Sequence, residues 1–445
     1  MLARSSPPGG TRGWERLGVA GLLIALLTAG VLLVVGPTET TDADAATAAE
    51  LQVLLDDWAR AVREGDDRAL GTLVDATAPG LFESERRRLA ALSAVPLADF
   101  GYELGPGPEL PVPADLAARY GTAPVRAHRV YLRYAIDGVD ERPTRRPVTV
   151  LFVHRPEGWR IADDDPDLPD AGTWRGPWDH GPLHLAAAQT AGGRSLVLGH
   201  PDEADLVDAI AAELPAAVEA VSEAWGDDWP RRALVVVTGS RDEFTHLVGT
   251  RHNGDEIAAV AVSDAVDPER GTATGQRIVF SPAASSRLDA DSLRAVLGHE
   301  MVHVATRART VDGSPMWILE GYADLLGRGT ADLLGRGTDV TVTPDELRRT
   351  APTLTARIRA EGAPDRLPAD PEFAAVDSVL AYETAWSLAA HIADVDGLDR
   401  LTTLYRRLAT GPVSDDEFDR ALTEVLGIGT GEFVDRWGRW LTERI

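Results

Sequence analysis

The stretch His299-Glu300-Met301-Val302-His303, followed after sixteen intervening residues by Glu320 in Pro315-Met316-Trp317-Ile318-Leu319-Glu320-Gly321, decides how this chain is read. On an α-helix, residues four apart lie one turn apart on one face. Both imidazoles can therefore meet one metal ion, while Glu300 between them reaches a metal-bound water. A second helix carrying Glu320 supplies a third ligand and leaves the fourth position for that water. The flanks support both helices. Asp291-Ser292 offers an N-cap, and Leu293, Leu297, Met301 and Val304 recur at spacings of four, four and three, the stripe of a buried helix face. Ser314-Pro315 predicts the start of the second helix, on which Glu320 and Asp324 share a face.

The H-E-M-V-H and W-I-L-E-G-Y-A-D segments resemble the gluzincin zinc metallopeptidases, the peptidase MA-like group related to thermolysin and the M1 peptidases. The resemblance extends over residues 175–445. It implies that His299, His303 and Glu320 hold one zinc ion (Zn2+) per chain and that Glu300 takes the proton from the attacking water. It further implies that Asp324 orients a zinc-ligating imidazole and that Tyr382, in Ala381-Tyr382-Glu383-Thr384, donates to the oxyanion. Tyr322 and His391 are weaker candidates for that last role. No G-x-M-E-N segment is present, which in M1 enzymes binds the substrate N-terminus, so an endopeptidase is expected in preference to an aminopeptidase.

Directly after the ligand turn, Ala323-Asp324-Leu325-Leu326-Gly327-Arg328-Gly329-Thr330 is repeated without change as residues 331–338. Two copies are too few for a solenoid, so a loop or helical extension beside the cleft is expected, with Asp332 the counterpart of Asp324. Upstream, Ala233 to Val237 and Arg277 to Ser281 read as buried strands. On sequence alone Ile278 to Ser281 is expected to be a plain core strand; the resemblance allows it instead to be the edge strand that lines a peptide substrate. Downstream, Leu398 to Tyr405 and Phe433 to Leu441 carry helical patterns that predict a C-terminal helical subdomain.

The first 165 residues read differently. Leu17 to Gly36 are twenty residues without a charge, long enough at 1.5 Å each to cross ~30 Å of hydrocarbon. Arg4, Arg12 and Arg16 precede them, and Glu39, Asp42 and Asp44 follow. This predicts a cytoplasmic tail (1–16), a transmembrane signal anchor (17–36), a linker (37–47) and an extracytoplasmic remainder at the cell membrane. Secretion after cleavage near Ala43-Asp44-Ala45 is the competing reading. Residues 48–165 begin with a helix bearing Leu51, Leu54, Leu55, Trp58 and Val62 on one face. Alternating strands follow, with Val130, Leu132 and Tyr134 on one, Val148 to Val153 on another, and a hairpin through Pro156-Glu157-Gly158. They resemble an NTF2-like, cystatin-like cone, a spacer or a docking surface for a protein or ligand. A boundary is expected between Asp165 and Trp178.

Composition narrows the partners. A net charge of −26, with all 44 basic residues arginine, argues against nucleic acid. Without cysteine, neither a disulfide nor a lipid-modified cysteine is possible. The fold class expected is α+β: a transmembrane helix, the NTF2-like cone, then a gluzincin-like domain with a mixed sheet. The function expected is that of a membrane-anchored zinc metallopeptidase acting on peptides or proteins. A catalytically silent surface sensor or adaptor is the alternative, and a closed structural zinc site with four ligands a third reading.

Overall fold

Leu51, Leu54, Leu55, Trp58 and Val62 fall on one side of α1 (Asp42–Glu64) and are all buried. The computed structural model describes residues 42–169, 171–249, 257–336, 340–375 and 377–445. After α1 come α2 (Asp67–Leu73), α3 (Pro79–Leu92), β1 (Leu97–Leu104), a short α4 (Ala114–Ala118), β2 (Val125–Ile136), β3 (Thr144–Arg155) and β4 (Gly158–Asp163). The four strands form an antiparallel meander in the order β1-β2-β3-β4. Val130, Leu132 and Tyr134, two apart on β2, pack with the α1 stripe because alternate side chains of a strand leave by the same face. Trp58 stacks on Tyr102 with ring centroids 4.0 Å apart, and its Nε1 donates to Glu85 Oε2 at 2.6 Å. Glu85 is itself held by Arg88, whose guanidinium also reaches Asp164 and Asp179.

A second sheet contains β5 (His184–Thr190), β6 (Gly193–Gly199), β7 (Leu234–Val237), β8 (Ala259–Val262) and β11 (Arg277–Phe280), in the order β5-β6-β7-β11-β8. A small ribbon, β9 (Ala265–Asp267) and β10 (Thr272–Thr274), precedes β11. The β6–β7 and β7–β11 pairs are parallel, so the chain must cross between them. It does so first through α5 (Ala204–Trp225) and then through α6 (Arg241–Val248) with β8. Leu196, Leu198 and Leu234 face the α1–meander core, whereas Val197, Val235 and Val237 face α5 and the helices after the sheet. Burial on both faces explains why these strands read as unbroken apolar runs.

Helices dominate the rest: α7 (Ala284–Arg287), α8 (Ala290–Thr306), α9 (Met316–Arg336), α10 (Pro344–Thr350), α11 (Pro352–Glu361), α12 (Val379–Val395), α13 (Leu398–Leu408), α14 (Asp415–Leu426) and α15 (Thr430–Thr442). The backbone of α9 runs as helix through the first octad and into the second.

One expectation is corrected. The chain is a mixed α/β fold, not α+β with a transmembrane helix: parallel strands joined by crossover helices form the second sheet, and among the described residues no helix is long and apolar enough to cross a membrane. The span expected at 17–36 lies outside the described residues. β11 is the plain core strand expected from its sequence, not the edge strand that the resemblance allowed. It is paired on both sides, by β7 and β8, and all four of its residues are buried, so its backbone has nothing left to offer a peptide. The edge belongs to β8.

The meander and the second sheet are joined by an ion pair as well as by apolar packing. Arg277, on β11, donates through Nη1 and Nη2 to the two oxygens of Asp140 at 2.6 and 2.7 Å, and both side chains are under 10% exposed. Removing one partner of such a pair strands a buried charge. Asp140→Ala is therefore expected to cost about 3–5 kcal/mol in urea unfolding. Arg277→Leu added to it should recover part of that loss, and a neutral Asp140→Ala would show that the pair does not hold the junction.

Candidate metal centre

Helix α8 presents the motif. Its N-cap is Asp289, two residues earlier than the expected Asp291-Ser292, with Asp289 Oδ1 accepting from Ser292 N at 2.9 Å. Leu293, Leu297, Met301 and Val304 are buried as the spacing predicts, and His299 and His303 leave by another face, also buried. The start of α9 is likewise secured from a distance. Met316 N donates to Asp370 Oδ1 at 2.9 Å, while the Ser314 hydroxyl donates to Val311 O and accepts from Gly411 N.

Two glycines let the helices come close enough for their side chains to meet. A Cβ at Gly327 would lie 2.6 Å from His299 N and 2.7 Å from Ala295 O, and one at Gly321 would lie 2.3 Å from Ala385 O on α12. Because the opposing atoms are backbone, any larger residue would push whole helices apart. With α8 and α9 in contact, His299 Nε2, His303 Nε2 and the Glu320 carboxylate converge, their donor atoms within 4.8 Å of one another. The separations are 3.0 Å between the two Nε2 atoms, 3.4 Å from His299 Nε2 to Glu320 Oε2 and 3.9 Å from His303 Nε2 to Glu320 Oε1. Tetrahedral ligands at a zinc–nitrogen distance of ~2.0–2.1 Å stand about 3.3 Å apart, so this donor set fits that ion.

Asp324, from the first octad copy, accepts at 3.0 Å from His299 Nδ1, which places the ring proton there and leaves Nε2 as the lone-pair donor. Its counterpart Asp332 falls where no side chain is described. Burial alone would lower the His299 pKa, but Asp324 and Glu320 outweigh it and hold the ring well above the usual histidine value. The carboxylates that favour a proton here favour a metal cation equally, so proton and metal compete for one nitrogen. His303 goes the other way, held well below its usual value by burial and by the neighbouring His299 and Arg307.

Glu300 is 1% exposed. Its Oε2 accepts from Ala261 N on the edge strand β8 at 2.8 Å, and its Oε1 makes no hydrogen bond among the described residues. Burial, opposed by His299 and reinforced by Glu320, pushes its carboxyl up to about 7. Tyr382, on α12, is also buried, and its hydroxyl has no hydrogen-bond partner among the described residues. Phe373 packs edge-on against its ring at 5.1 Å, and burial together with Glu320, Asp324 and Glu300 keeps the phenol protonated well above its usual range. Tyr322 and His391 are placed elsewhere. Tyr322 bonds Thr402 at 3.0 Å amid Trp225 and Tyr405, and His391 packs between Phe433 and Trp440. The Ala261 amide and the two helix-contact glycines escaped the sequence reading. The run Ala258 to Val262 was the only signal for the first, and the small residue after Glu320 for one of the glycines.

No protein-family model matches the chain, and no curated protein matches it. Among solved structures it is similar to a mutant two-domain M1 zinc metallopeptidase bound to L-arginine, at 14% identity and a TM-score of 0.33, over 72% of this chain and 61% of that one. It is also similar to a mutant M1 zinc metallopeptidase from Deinococcus radiodurans bound to a Tyr-Ser-Ala substrate, at 12% identity and a TM-score of 0.35, over 71% of this chain and 90% of that one. The chain thus spans under two thirds of the length of the first.

Asp324→Ala should weaken zinc binding ~10- to 100-fold in competition with a chromophoric chelator, because His299 loses the partner that fixes its tautomer. Unchanged affinity would remove Asp324 from the site. Gly327→Val is expected to abolish binding altogether by forcing α9 off the His299 backbone.

Proposed function

We propose that this protein is a zinc-dependent metallopeptidase that hydrolyses peptide bonds, as an endopeptidase. The observation that carries the reading is the convergence of His299, His303 and Glu320 beside a Glu300 carboxylate with one oxygen left unbonded. Zinc held by those three residues would supply Lewis acidity and acidify water. Glu300 Oε1 takes the proton from the attacking water and passes it to the leaving amine, a role suited to a carboxyl raised toward neutral pH. Tyr382, protonated and without a partner, donates to the oxyanion that develops on the substrate carbonyl.

The edge strand supports a peptide substrate. Ala261 N points to Glu300 and so away from β11, and by the two-residue period of a strand the backbone of Ala259 faces the same open side. An extended peptide can add there by main-chain hydrogen bonds, its scissile bond running past Glu300. A closed structural zinc site wants a fourth protein ligand, and the Asp324 carboxylate is turned to the far nitrogen of His299. A silent adaptor would have no use for the unbonded Glu300 oxygen. The α1–meander unit, which resembles an NTF2-like cone, is proposed as a spacer or docking element. An extracytoplasmic location is proposed from the charge pattern flanking residues 17–36.

Glu300→Gln keeps the shape and both helices, so zinc content should stay as in the wild type while cleavage of an unstructured protein falls at least ~100-fold. Full activity in this variant would remove Glu300 from the reaction. Tyr382→Phe is expected to lower kcat by ~10²–10³ with little change in KM, since a donor to the oxyanion acts in the transition state. A change confined to KM would contradict that role.

A further inference from the structure

Four of the ten histidines are the two of the motif and two that stand, with Glu243, at the other side of the second sheet: His180 and His246. His180 follows the turn Pro177–Asp179, and Glu243 and His246 belong to α6, beyond the carboxyl end of β7. Glu243 is fully buried. One of its oxygens, Oε2, is occupied twice over, accepting from His200 Nε2 and from Gly239 N, each at 2.9 Å. A Cβ at Gly239 would lie 3.0 Å from His200 Cδ2, so the glycine gives that ring its place. The other oxygen, Oε1, is buried and makes no hydrogen bond among the described residues.

The same holds for two imidazole nitrogens near it. His180 Nε2 and His246 Nδ1 are both buried at the atom, and neither makes a hydrogen bond among the described residues. The two rings lie 5.5 Å apart at 43°. His246 Nδ1 stands 3.7 Å from Asp242 Oδ2, beyond hydrogen-bonding distance. Burial favours the neutral form of His180 and outweighs Glu243, the charged neighbour that acts on it most strongly. A buried carboxylate oxygen and two buried imidazole nitrogens left bare each cost of the order of 1–3 kcal/mol.

We propose that His180, Glu243 and His246 form a second site for a divalent transition-metal ion, separate from the His299–His303–Glu320 centre, with His200 orienting the ligand carboxylate. Two neutral imidazoles and one carboxylate suit Zn2+, Co2+ or Ni2+, and a hydrogen bond from an imidazole to the far oxygen of the ligating carboxylate is the usual support for such a ligand. Only the donors of His299, His303 and Glu320 lie within 4.8 Å of one another among the described residues. Metal capture at the second site therefore requires the His180 and His246 rings to turn inward, which partly exposed imidazoles can do by rotation about two side-chain bonds.

The test is metal stoichiometry of the full chain, by equilibrium dialysis against Zn2+ alone and against Co2+ alone, with elemental analysis. Wild type should retain about two equivalents, His303→Ala/Glu320→Ala about one, and that variant with His180→Ala/His246→Ala added none. Glu243→Gln should weaken the second equivalent ~10-fold or more, and Co2+ at this site should show the intense visible bands of four-coordinate cobalt. One equivalent in wild type, lost in His303→Ala/Glu320→Ala, would overturn the second site and assign the bare atoms to water. One equivalent lost only with His180 and His246 would instead overturn the first centre, so the two readings fail separately.

Discussion

The contact of α8 with α9 at Gly327 is the constraint on which the rest depends. A helix backbone can touch another only where a side chain is missing, and here the missing Cβ lies over the amide of His299 itself. That contact sets the distance at which Glu320, two turns earlier on α9, meets both Nε2 atoms, and Asp324, one turn earlier, meets Nδ1. Gly321 repeats the device against α12, which carries Tyr382. The donor set is therefore fixed by helix packing and not by loops, the arrangement that holds side chains most rigidly.

The second sheet supplies what the helices lack. Because β8 is an edge strand, its outward amides are available, and one of them already binds Glu300. The general-base candidate is thus held between the donor set and the strand on which a peptide would lie. Val260 of β8 packs with Val279 of β11 against Phe244, Leu247 and Val248 of α6, and the Arg277–Asp140 pair ties the β2–β3 turn to the strand next to the edge.

Local spacing made the donor set legible, since four-residue separation on a helix is a geometric statement about one face. It also gave the α1 stripe, the alternation on β2 and the burial of β7, because each is a property of the segment by itself. What it could not give depends on partners distant in sequence. The apolar run at Arg277–Phe280 reads the same whether one or both of its edges are paired, so sequence left the edge reading open beside the core one and passed over β8. The cap of α8 lay two residues earlier than expected because aspartates and a serine are clustered there, and that of α9 came from Asp370, far along the chain. Tyr322 and His391 fit a tyrosine or histidine role by position, yet their rings pack into aromatic clusters.

The most direct measurement is cleavage of an unstructured protein by the full chain before chelation, after it, and after zinc is restored. The account predicts that cleavage disappears with the metal and returns with about one equivalent at the His299–His303–Glu320 centre. Cleavage that survives complete removal of zinc would contradict it.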